Sequence, residues 1–369
     1  LTKAALSTAA RFLGLNRSMA GLLVMVVLVG MGERMAERFL PLYLVALGGG
    51  PLVVGLLGGL DNLLSALYSF PGGFLSDRLG VKRALLVFNL VAMAGFAVVV
   101  LIPAWPAVIA GSVLFLSWTA ISLPASMDLV ARALPGEKRT MGVSMHSLVR
   151  RLPMALGPIT GGAFISLWGT VTGVRLAFVL ALALALVAAV MQQRLIQVHP
   201  PDRTSGREEK GGSTLGRSLA LLTPPLRRLL LSDILIRFCE QIPYAFVVIW
   251  CVQTIARTVS AFQFGLLTAV EMATAMLIYI PVAHFADRGH KKPFVVVTFV
   301  FFTLFPLALL FSQSFLPLVG AFVLRGLKEF GEPTRKALIM DLSPDRCKAG
   351  MFGLYYLIRD VFVSLAALG

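Results

Sequence analysis

Three stretches of this chain, Leu85–Ile102, Leu176–Met191 and Phe294–Phe311, run for 16 to 18 residues without a single charged side chain. Nothing constrains the fold more. At about 1.5 Å per residue, a helix of such a run and its flanks spans the roughly 30 Å hydrocarbon core of a bilayer. Lipid offers no water to backbone N–H and C=O groups, so a run of this kind must satisfy them within itself, as helix. A transmembrane barrel would instead show alternating segments of about ten residues. Of the 369 residues, 57% are apolar and 14% charged, where soluble domains carry about 25% charge. The fold class is therefore an all-α polytopic membrane protein.

The net charge of +15 would point to nucleic acid in a soluble chain. Here the basic residues gather in alternate connections, the positive-inside pattern, and no nucleic-acid partner is expected. Lys3, Arg11, Arg17, Lys82, Arg83, Lys138, Arg139, Lys291, Lys292, Arg346 and Lys348 lie on one side, with the polar segment from Arg194 to Arg228. That side is expected to be cytoplasmic, the N-terminus included, and the expected location is a bacterial inner (plasma) membrane. The first 18 residues are basic but lack a small-residue cleavage site, so they do not read as a signal peptide. Cys239 and Cys251 are 12 residues apart on one expected helix, about 18 Å, too far for a disulfide. No metal-ligand spacing or cofactor motif is present in the sequence.

The pattern predicts eleven helices, over 19–47, 51–76, 84–103, 106–134, 141–168, 174–195, 226–256, 259–286, 293–312, 314–342 and 349–369. The chain opens on Leu1 and the eleventh run reaches Gly369, so a twelfth helix is expected to be missing from a longer protein. The Pro/Gly/Ser-rich segment 199–214 reads as a flexible linker. The expected organisation is an N-terminal six-helix bundle over 1–195, a cytoplasmic linker over 196–225 and a C-terminal bundle over 226–369. Helices three, six and nine have charge-free interiors and suit lipid; the others carry charge and suit a polar interior.

The two halves repeat. Asp61 precedes Asp77-Arg78 by 16 residues, as Glu271 precedes Asp287-Arg288, and the second set lies 210 positions after the first. Arg34 and Glu37 recur 203 positions later as Arg237 and Glu240, and Arg151 recurs 208 later as Arg359. Matched charges in each half indicate two parallel repeats about an axis along the membrane normal.

The segment Gly73-Phe-Leu-Ser-Asp77-Arg78-Leu-Gly80-Val-Lys82-Arg83 resembles the G-x-x-x-D-R-x-G-x-K-R signature of the major facilitator superfamily. A weaker echo is Ala283-His-Phe-Ala-Asp287-Arg288-Gly289-His-Lys291-Lys292. Gly157-Pro158-Ile-Thr-Gly161-Gly162 is similar to the core of the motif associated with antiporters in that superfamily, although Pro153 stands where a Gly is expected. The resemblance implies two pseudo-symmetric six-helix bundles rocking about a central site, alternating access, a small-molecule substrate, a monomer and no cofactor. It also implies a cytoplasmic latch, with Gly73, Asp77, Arg78, Gly80, Lys82 and Arg83 in the first half and Asp287 and Arg288 in the second. Asp128 and Asp341 are the candidate partners of the two arginines, and Arg151 and Arg359 are candidate gate residues. The alternative is that these charges only fix topology.

An acid at membrane depth is costly and faces a water path or a partner. Asp61 and Glu271 are thus candidate proton carriers, with Glu329 and His146 in second place; a static pair with a neighbouring Arg is the alternative. Arg34 with Glu37 and Arg237 with Glu240 share helix faces that suit either a polar solute or an ion-pair lattice. Two related arginines could clamp an anion, and organophosphate antiporters of that superfamily are similar in that respect, so the resemblance implies an organic-anion or organophosphate antiporter as an alternative. Trp118, Tyr244 and Trp250 are candidate pocket residues, with core or lipid packing as the alternative. The first functional expectation is a proton-coupled secondary transporter of a small polar or amphipathic solute. The second is a membrane receptor of the same build that does not translocate. No catalytic constellation points to an enzyme.

Overall fold

The computed structural model describes residues 17–116, 118, 122, 126, 129, 139–196, 223–287, 291–331, 335, 338–339, 342 and 348–366. Thirteen helices and no strands are found among them. They are α1 Arg17–Glu37, α2 Leu40–Ala46, α3 Pro51–Leu79, α4 Val81–Leu101, α5 Trp105–Phe115, α6 Arg139–Trp168 and α7 Thr170–Leu195 in the first half. The second half contributes α8 Pro224–Tyr244, α9 Val247–Ile249, α10 Ala261–Asp287, α11 Lys291–Phe311, α12 Phe315–Leu327 and α13 Lys348–Ala366. The repeat read from charges is also a repeat of elements: α3 and α10, α4 and α11, and α5 and α12 each begin 210 positions apart.

Where the observed elements depart from the expected helices, proline and glycine account for the difference. The first expected helix is two, broken at Arg38-Phe39. Pro41 has no N–H to donate to the Glu37 carbonyl, so the α-ladder stops there. The seventh is interrupted at Ala245-Phe246, just after Pro243, and continues through α9 into a π-helical turn at Trp250–Thr254; the two parts meet at 41°. In the tenth, α12 tightens into a 3₁₀ turn at Lys328–Gly331, two residues ahead of Pro333. There the Gly331 N–H leaves the ladder and donates to Thr298 Oγ1 at 2.6 Å. The Asp77-Arg78 segment, expected as a loop, is the last turn of α3. Only Gly80 separates α3 from α4, at φ 77° and ψ 149°, a region that essentially only glycine occupies.

The residues group into two compact units. The first holds residues 1–51, 67–201 and 260–265, and the second 52–66, 202–259 and 266–369. The division differs from the expected bundles at one place in each half: the opening turns of α3 group with the second unit, and those of α10 with the first. The expected 196–225 linker lies almost wholly outside the described residues.

In the first unit, α1 packs against α6 and α7, and α4 against α5 and α7. The α4–α7 pair is clamped at both ends and in the middle. Lys82 Nζ donates to the Gln193 carbonyl at 2.8 Å, placing a cation on the negative C-terminal end of α7, where Arg17 Nη2 from α1 also donates to the Arg194 carbonyl at 3.0 Å. At the other end, Arg175 donates through Nε and Nη2 to the Val100 carbonyl near the end of α4. Between them the buried Asn89 donates to the Ala185 carbonyl at 2.9 Å. Phe96, Phe115 and Phe178 meet with ring centroids 5.1–5.7 Å apart, each pair adding about 0.5–1.5 kcal/mol beyond area burial. In the second unit, Leu226, Leu230, Ile339 and Tyr355 form a buried cluster.

The charge-free helices carry the apolar surface. Leu90, Val91 and Leu101 on α4, Leu186, Val187 and Val190 on α7, and Val296, Val300, Leu307, Leu310 and Phe311 on α11 are exposed. By length and composition, five helices among the described residues can cross a membrane, or six if the bent α8 to Thr254 pair counts as one span. Apolar area of this extent marks a lipid-facing surface.

Candidate functional site

The first unit contains a narrow cleft walled by α1, the chain beyond α5, and α6. Its lining includes Glu33 and Arg34 from α1, Trp118, Ser122 and Ser126, and His146 and Arg150 from α6. Polar side chains meet here where α1 and α6 approach closely. That approach depends on glycine. A Cβ on Gly157 would stand 2.7 Å from the Arg34 Cβ. One on Gly161 would fall on the Met35 carbonyl oxygen, so α6 lies backbone to backbone on the last turn of α1. The Gly-Pro motif is therefore, in this chain, a packing face.

Arg34 is held by two acids on its own helix: Nη1 lies 2.6 Å from Glu37 Oε2 and Nη2 4.0 Å from Glu33 Oε1. Glu33 is buried, whereas Arg34 remains about one-fifth exposed. His146 is buried among the cleft residues. Trp118 is 4% exposed, and its indole Nε1 is a buried donor with no hydrogen-bond partner among the described residues. Such a group costs roughly 1–3 kcal/mol to leave unsatisfied.

The second unit reproduces the α1 arrangement on α8, where Arg237 Nη1 lies 3.6 Å from Glu240 Oε2. Its exposure, 22%, matches the 20% of Arg34. Around this pair is a buried charge array that the first unit does not show among its described residues. Lys328 Nζ bonds Glu240 Oε1 and lies over the Phe302 ring. Asp233, fully buried, accepts from Arg335 Nη1 at 2.5 Å and from Tyr355 Oη at 3.1 Å. Arg359 Nη1 lies 3.7 Å from its other oxygen, and Arg359 also bonds Asp360 at 2.6–2.7 Å. Glu271 meets Arg325 Nε at 3.3 Å. The Arg325 guanidinium, 2% exposed, sits over Tyr244, Phe305 and Phe322 at 4.8–5.5 Å, so three ring faces share its charge with one carboxylate.

The sequence-predicted residues therefore separate into groups. Arg34 with Glu37, and Arg237 with Glu240, form the two related pairs. Glu271 and Asp61 each stand ten residues after the first residue of their helices. Glu271 is buried against an arginine, and Asp61 is partly buried. Glu329 is partly buried in the 3₁₀ turn. Arg359 belongs to the Asp233 array, and Arg151 is partly buried on α6. Of the latch, Gly80 is the helix break and Lys82 caps α7, while Arg83 is exposed. The side chains of Asp77 and Asp287, and residues Asp128, Arg288 and Asp341, lie outside the described residues, and the side-chain surroundings of Gly73 and Arg78 do so as well.

Asp233, Arg325, Lys328 and Arg335, which build the buried charges of the second unit, and Glu33 and Arg150, which line the cleft, are not among the residues singled out from the sequence. One signal was available: Asp233 aligns with Gly30 at the 203 offset, so an acid without a counterpart in the first half foretold an array particular to the second.

Comparison with known proteins gives a consistent result. The model of the Major Facilitator Superfamily matches residues 22–256 and again residues 229–368. Two curated Mycobacterium tuberculosis proteins, from different strains and each named an uncharacterized MFS-type transporter, are 29% identical to this chain over 185 residues. The match covers 50% of this chain and 44% of theirs, so the chain spans less than half the length of the curated relatives it matches. Among solved structures, a nucleoside transporter superposes with a TM-score of 0.80 at 12% identity, covering 96% of this chain and 90% of its own. A peptide transporter in complex with sulfate gives 0.75 at 14%, covering 95% and 88%. A bacterial homolog of the human lysosomal transporter Spinster gives 0.72 at 16%, covering 95% and 80%. At these identities the likeness is one of fold. With both halves matched by one family model and the fold shared along nearly the whole chain, this protein belongs to the major facilitator superfamily.

Proposed function

We propose that the protein is a secondary active transporter that moves a small polar solute by alternating access of its two halves. The observation that carries this reading is the polar cleft of the first unit, where Glu33, Arg34, His146 and Arg150 line a space inside a unit whose outer helices are apolar. Charged groups are expensive in such a setting and mark substrate or ion pathways. Arg34 with Glu37 and Arg237 with Glu240 are assigned as solute contacts. Their partial exposure supports this, since a purely structural pair has no need to stay accessible. Asp61 and Glu271 are assigned as the coupling pair, with Glu329 and His146 behind them. Gly73, Asp77, Arg78, Gly80, Lys82, Arg83, Asp128, Asp287, Arg288, Asp341, Arg151 and Arg359 are assigned to the cytoplasmic gate.

The test is transport by the purified protein in liposomes. Vesicles with an imposed pH gradient are incubated in an equimolar mixture of anionic, zwitterionic, cationic and uncharged metabolites, and their contents are read by mass spectrometry. At least one solute should accumulate above protein-free vesicles. D61N or E271Q should abolish the gradient-driven part while leaving solute exchange. If no solute accumulates or exchanges, the transporter reading fails; if both variants accumulate solute normally, the coupling assignment fails alone.

A further inference from the structure

Where α4 begins and α7 ends, the first unit carries positive charge that its described acids do not answer. The helices α4, α5 and α7 contain no Asp or Glu. On α1 the acids are Glu33 and Glu37, roughly four to six turns of helix away from Arg17. Arg17 and Lys82 donate to the carbonyls of Arg194 and Gln193 at the end of α7. Arg83 and Arg194 are exposed, and their side chains make no ion pair or hydrogen bond among the described residues. Their neighbours hold them close together. Lys82 Nζ donates to the Gln193 carbonyl at 2.8 Å, and Gln192 Nε2 donates back to the Lys82 carbonyl at 2.8 Å. On each helix an arginine follows directly after this reciprocal contact.

Each of these arginines also heads an apolar face. Val87 and Leu90 lie four and seven residues after Arg83, and Val190 and Val187 lie four and seven before Arg194. Residues at these spacings share one side of a helix. Leu90, Val187 and Val190 are 51%, 49% and 45% exposed. Two apolar lanes therefore run from two guanidiniums into the lipid-facing surface. Acyl chains fit the lanes, and phosphate oxygens accept from the planar forks at their head. A soluble anion leaves the lanes unused, and a zwitterionic lipid brings a cation of its own to the arginines. We propose that Arg83 and Arg194 form a headgroup site for an anionic phospholipid at the rim of α4 and α7. The site adds a role to Arg83 and does not depend on whether the chain transports.

The experiment is lipid titration of the full chain in detergent, with bound lipid counted by native mass spectrometry. The probes are phosphatidylglycerol and phosphatidylcholine with the same acyl chains, and inorganic phosphate. Arg83→Gln, Arg194→Gln and the double variant are compared with Arg257→Gln, an exposed arginine of the second unit. Phosphatidylglycerol should bind roughly tenfold or more tighter than phosphatidylcholine. Each single variant should weaken phosphatidylglycerol roughly fivefold, the effect of one arginine near an anionic headgroup. The double variant should abolish the preference, while Arg257→Gln and phosphatidylcholine binding stay as in the parent. Equal binding of the two lipids overturns the proposal, as does an unaltered preference in the double variant. If inorganic phosphate displaces phosphatidylglycerol, the arginines hold a soluble anion and the lipid assignment is wrong. If the double variant lowers the thermal midpoint in lipid-free detergent and keeps the parent's lipid preference, the arginines pair within the chain and the proposal fails.

Discussion

Asp233→Asn is the substitution whose cost is tied most directly to the geometry. Asp233 has no exposed surface and stands among four donors: Arg335 at 2.5 Å, Tyr355 at 3.1 Å, Arg359 at 3.7 Å and Arg237 at 4.0 Å. Asparagine preserves the shape and one acceptor oxygen, so packing and the tyrosine bond can persist. What it removes is the charge that allows Arg335, 1% exposed, to remain buried. Removing one partner of a buried pair costs about 3–5 kcal/mol, because the other charge is stranded. For a unit of this size, 1 kcal/mol shifts the thermal midpoint by roughly 2–4 °C, so the midpoint should fall by roughly 6–20 °C. The assay is thermal unfolding of the purified protein in detergent at a fixed scan rate, since such unfolding is often irreversible. Arg335→Gln in the Asp233→Asn background removes the stranded charge and should recover part of the loss, a coupling of roughly 1–3 kcal/mol. A fall of less than about 2 °C in the single variant, or simple additivity in the double, would refute the idea that Asp233 is the organising anion of the second unit.

Gly161→Ala should lower the midpoint by several degrees, because the new methyl lands on the Met35 carbonyl and overpacking costs about 1–3 kcal/mol. Gly320→Ala, where nothing lies within 4 Å, should be neutral or slightly stabilising in the same scan. Gly80→Ala forces a side chain into φ 77°, ψ 149° and should cost about 1–3 kcal/mol, read as a lower midpoint and poorer expression. Glu271→Gln should destabilise less than half as much as Asp233→Asn. The Arg325 it leaves behind still lies over three aromatic rings; an equal or larger fall would mean that the rings contribute little.

Much of the site was legible because charge is rare in this chain. Arg34, Glu37, Arg237 and Glu240 stood out as paired charges at a fixed offset, and both pairs formed as i, i+3 contacts. That prediction needed only helix geometry. The fate of Glu271 was not legible in the same way. Its ten-residue depth in α10 was predictable, but its partner Arg325 lies on a different helix, 54 positions away. Lys82 is a second such case: its place in a basic motif was legible, but its contact with the Gln193 carbonyl near the end of α7, between residues 111 positions apart, was not.

By itself the sequence determined the features that local chemistry dictates. Charge-free runs impose helices because lipid cannot hydrogen-bond the backbone. Offsets of 203 to 210 impose two related halves, and a motif at Gly73–Arg83 gives the superfamily. Only the tertiary structure decided which charges meet. It breaks α1 and α8 beside their Arg-Glu pairs and gathers Asp233 with Arg335, Tyr355 and Arg359. The physical reason is that a helix fixes its own hydrogen bonds and its i, i+3 neighbours. The counter-ion of a buried charge depends on how close and in what register two helices pack, and here that is set by glycines such as Gly161 and by proline breaks acting at a distance.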